Sequence, residues 1–271
     1  DPTHGFINYR SKADAKDLGL TSISGSDVYI GVDSTTVPAR GRSSVRIESQ
    51  ESYQYGLFIA KFTHLPKTVC GAWPAFWMTG SNWPIDGELD IYEEWNLASR
   101  NRITAHTGTS SQVGSCKIDT STYPSTITPN CDNNTPGHIN EGCSVPETNG
   151  LWGAATGGTY ATEWQADRLQ VWSWAAGAEP TDVKNGNPDP ILWGKPNFAL
   201  KSGSCDVKKA FTDMKLVLNI DFCGDAAGQD VLWSQGCKAA TKVNTCADYV
   251  KNNPAAFKDV YWKIAYINVY Q

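Results

Sequence analysis

The sequence predicts an all-β sandwich of antiparallel strands. Short runs of apolar residues alternate with turn signals along most of the chain. Eleven Trp, eleven Tyr and 24 Gly describe strands, turns and aromatic surfaces better than helices. At 271 residues the chain has a length that β-sandwiches commonly reach as one unit, and no internal repeat, linker or composition break divides it. One domain over 1–271 is expected.

The elements follow in order. Leu20, Ile23, Val28, Ile30 and Val32, broken by Gly25-Ser26-Asp27, predict a strand, a turn and a second strand. Val45-Arg46-Ile47 alternates, and 53–62 forms a longer strand ending at Pro66. Arg46, Glu48 and Lys61 belong on an outer face or rim, although Arg46 is also a candidate to line a groove. Residues 108–158 are rich in Ser, Thr, Gly, Asn and Pro; a loop of that length needs staples, and its three Cys supply them. The 160–164 segment and the 169–174 segment form a hairpin around Ala166-Asp167, and 214–220 reads as a central strand buried on both sides. Cys246 to Asn253 is a short helix stopped by Pro254, and alternation over 259–270 closes a sheet.

The chemistry concentrates in Gly87-Glu88-Leu89-Asp90-Ile91-Tyr92-Glu93. Side chains on a strand alternate faces, so Glu88 and Asp90 share one face and Glu93 points to the other. A β-bulge near Tyr92 would return Glu93 to the face of the other two. The Glu Cα atoms would then lie roughly 13 Å apart, which two long side chains on a curved sheet can close. Carboxyl oxygens about 5 to 5.5 Å apart suit a retaining glycosidase. The plainer alternative is a solvated edge strand whose charges discourage pairing. It fits poorly, because Leu89 and Ile91 alternate with the acids as in a strand with one buried face. Three Trp residues, 73, 77 and 83, precede the acids. Their indoles offer flat apolar platforms with a polar edge, suited to a sugar ring. Trp73 and Phe76 are expected in the core, with Trp77 and Trp83 at the groove.

These residues carry a resemblance. Trp73-Pro74-Ala75-Phe76-Trp77, then Asn82-Trp83-Pro84 and the acid stretch, resemble glycoside hydrolase family 16 over nearly the whole chain, and within it the fungal laminarinase-type endo-β-1,3(4)-glucanases. The resemblance implies a jelly roll of two curved antiparallel sheets with a concave substrate cleft. It also implies a retaining mechanism on a β-glucan. Glu88 would be the nucleophile, Asp90 its assistant and Glu93 the acid/base. Dense negative charge would keep the proton on Glu93 while Glu88 and Asp90 are ionised. His106 matches a family position near the carboxylates and is expected beside Glu93. Trp77, Trp83, Trp95, Asn96, His106 and Arg46 are the candidate substrate-binding residues.

There are departures. The segment Phe222-Cys223-Gly224-Asp225-Ala226 resembles a fungal form with a groove Trp where this chain has Ala226. Losing an indole platform costs on the order of 1 kcal/mol of sugar contact. Glu94 and Trp95 are further departures, and Trp95 is a candidate to compensate. Two alternatives stand beside hydrolysis: a glucan transglycosylase of the same fold, and a carbohydrate-binding jelly roll without catalysis.

Net charge is −5 and the basic residues form no run, so no nucleic acid or anionic membrane is expected as a partner. A monomer is expected. Asp1-Pro2-Thr3 lacks a Met or apolar leader and reads as a product trimmed of a signal, hence secreted. Eight Cys without Cys-x-x-Cys spacing suggest disulfides over zinc; Cys131 with Cys143 and Cys237 with Cys246 are plausible local pairs. Asn133-Asn134-Thr135 is the one glycosylation sequon, and Pro136 disfavours its use. No cofactor or catalytic metal is expected. A structural calcium is compatible by family analogy, without a recognisable ligand spacing.

Overall fold

Alternating apolar and polar side chains build fifteen strands among the described residues, which are 2–271 of the computed structural model. Asp1, at the start of the segment read as trimmed, lies outside them. The first fifty residues hold β1 (Ile7–Tyr9), β2 (Thr21–Ser24), β3 (Asp27–Ile30), β4 (Arg42–Ser44) and β5 (Arg46–Glu48). Then come β6 (Gly56–His64), β7 (Ala72–Thr79), β8 (Glu88–Glu93), β9 (Arg102–His106) and β10 (Cys143–Pro146). The chain ends with β11 (Gly158–Trp164), β12 (Arg168–Ala175), β13 (Phe198–Lys201), β14 (Lys215–Phe222) and β15 (Trp262–Tyr270).

Two antiparallel sheets make the jelly roll. One has the order β10-β9-β8-β7-β14-β5, the other β13-β12-β11-β6-β15-β3-β2. The predicted β2–β3 and β11–β12 hairpins are present, and the predicted helix runs over Cys246–Asn252 with Thr245 as its cap. Two details differ from the sequence reading. The Val45 region divides, so that β4 pairs in parallel with β1 while β5 joins β14. The apolar run of β14 is buried as expected, yet it lies one strand from the sheet edge because the short β5 covers it. Among the described residues no helix is long and apolar enough to cross a membrane.

An aromatic wedge joins the sheets behind the acids. Tyr92 of β8 packs edgewise on Trp262 of β15 at 5.1 Å, and Phe62 of β6 meets both Trp262 and Phe76 of β7. Phe76 is thus core, as expected. Leu89, Ile91 and Tyr92 are fully buried on this inner side, so the outward acids are carried on a strand that cannot rotate without exposing it.

Four disulfides staple the loops. Cys131 pairs with Cys143 as expected. The expected Cys237–Cys246 pair is corrected: Cys237 bonds Cys70 and Cys246 bonds Cys223. Phe222 and Ala72 are register partners, so Cys70 and Cys223 flank neighbouring strand ends. The helical segment 224–252 is anchored across both strands instead of closing on itself. Cys116–Cys205 ties down the long loop.

Trp262→Ala should cost about 3–5 kcal/mol by opening a cavity between the sheets. A denaturant-unfolding midpoint close to that of the parent chain would show that the wedge does not hold them together.

Candidate active site

Strand register assembles the acid-bearing face. In β8, Glu88 stands opposite Thr79 and His106, and Asp90 opposite Trp77 and Thr104. The register then shifts: Phe76 faces Tyr92 while Trp77 faces Asp90, which leaves Ile91 as the extra residue. This is the expected bulge. Beyond it Glu93 stands opposite Ala75 and rejoins the face of Glu88 and Asp90.

Glu88, Asp90 and His106 meet closely. His106 Nε2 lies 3.3 Å from Asp90 Oδ2 and 3.9 Å from Glu88 Oε1. No hydrogen bond joins this pair, and Asp90 Oδ2 is buried without one. His106 Nδ1 is 2.7 Å from Asn133 Oδ1, an acceptor, which places a ring proton there and turns Nε2 to the acids. His106 therefore serves Asp90 and Glu88 across the strand pair, not chiefly Glu93, and its 8 % exposure leaves little of it for a sugar. Asn133 is 1 % exposed with its amide nitrogen donating to Asn140, so the sequon asparagine is spent inside the protein.

Trp73 is the main reassignment. Its indole is half-buried on the acid face and donates to Glu93 Oε1 at 2.8 Å. Trp95 meets Trp73 edgewise at 6.1 Å, and the Arg102 guanidinium lies 5.0 Å above Trp95 while pairing with Glu94. Trp77 donates to Asn219 Oδ1 at 2.8 Å and lies under Arg46, whose guanidinium binds Glu48. Arg46 is thus at the rim of the acid-bearing sheet. Trp83 is 45 % exposed beside His106 and favours the charged form of Glu88. Asn96 is corrected: it is buried, accepts from the Gly71 amide and donates to the Ala227 carbonyl, leaving neither end of its amide for a substrate.

Burial dominates the electrostatics. It pushes the Glu88 carboxyl well up, with Asp90 adding repulsion, while His106 and Trp83 favour its charged form. Burial raises Asp90 to about 8. Burial, then Asp90, raises Glu93 to about 8 against the opposing Trp73 hydrogen bond. The expectation of a proton confined to Glu93 is too simple, because desolvation acts on all three acids and the cluster titrates as a unit. Glu88, Asp90 and His106 also offer donor atoms within 4.8 Å of one another, the one such group of three metal-ligating side chains among the described residues. A set that includes imidazole differs from the oxygen cage calcium takes, so it gives the compatible structural calcium no support.

Comparison with known proteins follows the same lines. A family model described as "XgeA-like, catalytic GH16 domain" matches residues 1–270. An endo-1,3(4)-beta-glucanase of Arthroderma benhamiae is 39% identical over 279 residues, covering 100% of this chain and 60% of that protein. A probable endo-1,3(4)-beta-glucanase of Aspergillus flavus is 40% identical, with 100% and 41% covered. The chain therefore spans only part of these relatives. Laminarinase 16A of Phanerochaete chrysosporium, solved with 6-O-glucosyl-laminaritriose in donor and acceptor sites, superposes with a TM-score of 0.88 at 36% identity, covering 100% of this chain and 92% of that one. An elongating family 16 beta-1,3-glucosyltransferase gives 0.86 at 35% identity with the same coverage.

Asp90 has a raised proton affinity in the folded state, so its contribution to stability is full below about pH 3.8 and is lost as pH rises through about 8. Asp90→Asn removes that loss. The stability difference, variant minus parent, should grow between those pH values in thermal melts; a flat difference would refute the desolvation of Asp90.

Proposed function

We propose that this chain, which belongs to glycoside hydrolase family 16, is the catalytic domain of a secreted, retaining endo-β-1,3(4)-glucanase, with residues 1–271 as one unit acting as a monomer. The observation that carries the reading is the bulge at Ile91, which puts Glu93 on the face of Glu88 and Asp90 next to the Trp73 indole. In the reacting state Glu88 is ionised against the effect of its burial, with His106 and Trp83 favouring the charge. Burial favours the protonated form of Asp90, and a proton there lessens its repulsion of Glu88. Glu88 attacks the anomeric carbon as the glycosidic C–O bond breaks, and Glu93 gives its proton to the leaving oxygen. Glu93 then takes a proton from water, whose oxygen attacks the same carbon and frees Glu88.

The aromatic faces of Trp77, Trp83 and Trp95 suit the apolar faces of glucose units. Ala226 offers no such platform and is buried in the short helix Gly224–Ala227. Trp95 is the aromatic residue beside Trp73 that takes its place in this reading. Laminarin-type β-1,3-glucan is the proposed substrate, and mixed-linkage glucan the comparison. Four disulfides suit an oxidising, extracellular setting. Transglycosylation is a second reading, favoured by the likeness to the elongating glucosyltransferase. There a sugar hydroxyl replaces water in the second step.

Proton NMR of fresh digests of laminarin and mixed-linkage glucan should show the β-anomer of the new reducing end first, and Glu88→Gln should abolish turnover while retaining oligosaccharide binding. An early α-anomer would refute double displacement. Products longer than the starting oligosaccharide would select the transglycosylase.

The loss of the Glu93 proton should set an alkaline limb of kcat/KM near pH 8. Trp73→Phe removes a hydrogen bond that favours the carboxylate, so this limb should move to higher pH. An unmoved limb would separate Trp73 from the titration of Glu93.

A further inference from the structure

We propose that Asn101 is a positioning residue for Glu93, acting as a peptide-like clamp on the catalytic bulge. The proposal rests on the acid/base reading of Glu93. A bulge gains an outward side chain at the expense of the ladder, since the backbone groups around the extra residue lose their strand partners. β8 pairs with β9 only over Glu88, Leu89 and Asp90. Past that point the Ile91 carbonyl and the Glu93 amide have no ladder partner on the β9 side. The Asn101 side chain supplies both bonds: Glu93 N–H donates to Asn101 Oδ1 at 2.7 Å, and Asn101 Nδ2 donates to the Ile91 carbonyl at 2.9 Å.

A carboxamide has the acceptor and donor of a peptide group, and here it bonds the two β8 backbone groups that the ladder leaves over. Asn101 immediately precedes β9 and is completely buried. Its own carbonyl accepts from the Glu147 amide at 2.8 Å, which fixes its backbone from behind. Glu147 is buried in turn, receiving hydrogen bonds from the Tyr160 and Ser173 hydroxyls, while Asn149 donates to Ser173 Oγ at 2.6 Å. Among the described residues this polar group is joined to Glu93 by hydrogen bonds through Asn101. A buried network of this size is costly unless satisfied, and its satisfied state holds one conformation. The clamp thus decides where the Glu93 backbone amide sits, and with it which face the carboxyl takes. Asp and Leu fit poorly in its place, because Asp lacks the donor for Ile91 and Leu lacks both groups.

The test compares Asn101→Ala and Asn101→Ser with the parent on laminarin and on a 2,4-dinitrophenyl β-laminaribioside, whose leaving group needs no proton. Displacement of Glu93 should lower kcat on laminarin by about 100-fold with KM little changed, and the pre-steady-state burst of dinitrophenolate from the aryl glycoside far less. Azide should accelerate turnover of the aryl glycoside. Asn101→Ser, whose hydroxyl can replace at most one of the two hydrogen bonds, should fall no lower than Asn101→Ala. An equal drop on both substrates without azide rescue, or loss of folding in both variants, would assign Asn101 to stability alone and overturn the proposal. Glu93→Ala is run in parallel: if it is not rescued by azide, the acid/base reading itself fails, whereas rescue of Glu93→Ala without rescue of Asn101→Ala refutes only the clamp.

Discussion

Desolvation of three carboxylates on one strand is the constraint the rest of the structure answers. Ionising isolated buried acids costs several kcal/mol each, so such groups hold protons or acquire partners. Here each acid has a different neighbour. Glu88 has Trp83 and His106, Asp90 has His106, and Glu93 has the Trp73 indole. The arrangement differentiates chemically similar side chains, which is what the proposed double displacement, with one ionised and one protonated carboxyl, requires.

The partners are themselves supported from further out. Trp73 is backed by Trp95, Trp95 by Arg102, and Arg102 by Glu94. Trp77 is held by Asn219 and covered by Arg46, which Glu48 fixes, and Asn219 donates in turn to the Tyr9 hydroxyl. The first line ends on the buried Glu94 and the second on the half-exposed Glu48, while their inner ends are aromatic. The Arg residues act here through their flat faces as much as their charge, a role lysine fills less well. Gly224 belongs to this arrangement: at φ 64° it brings a turn so close that an added Cβ would lie 3.3 Å from Trp73.

Much of this was legible. Strand parity alone put Glu88 and Asp90 together, and the mismatch at Glu93 called for the bulge that is present at Ile91. The apolar strands, the hairpin at 166–167 and the short closing helix followed from local pattern. What escaped was non-local. Trp73 sits in an apolar run and reads as core, because nothing in the run shows that its N–H reaches a carboxyl twenty residues away. Asn101 and Asn133 are single amides in loop sequence whose partners are set by tertiary approach. Asn96 shares a loop with Trp95 yet turns inward, at φ 55°, to tie two backbone segments. The cysteine pairing was missed where sequence proximity favoured 237 with 246, since the helical segment between them crosses strand ends that supply nearer sulfurs.

The long loop after β9 shows how a region without regular structure enters the site. Asn133 must meet the His106 ring from outside the sheet, so its position depends on how the loop returns. Cys131, two residues before it, is bonded to Cys143 on β10, and Cys143 is the register partner of Ala105. The staple therefore fixes Asn133 relative to the strand that carries His106. Gly142 completes the fit with φ 61°, where a Cβ would lie 2.6 Å from the Ala105 carbonyl and 2.8 Å from His106 Nδ1. Only a residue without a side chain lets the loop pass this close to the ring. A disulfide that looks remote from the chemistry thus sets the ring's proton on Nδ1, and through it which nitrogen faces Asp90 and Glu88.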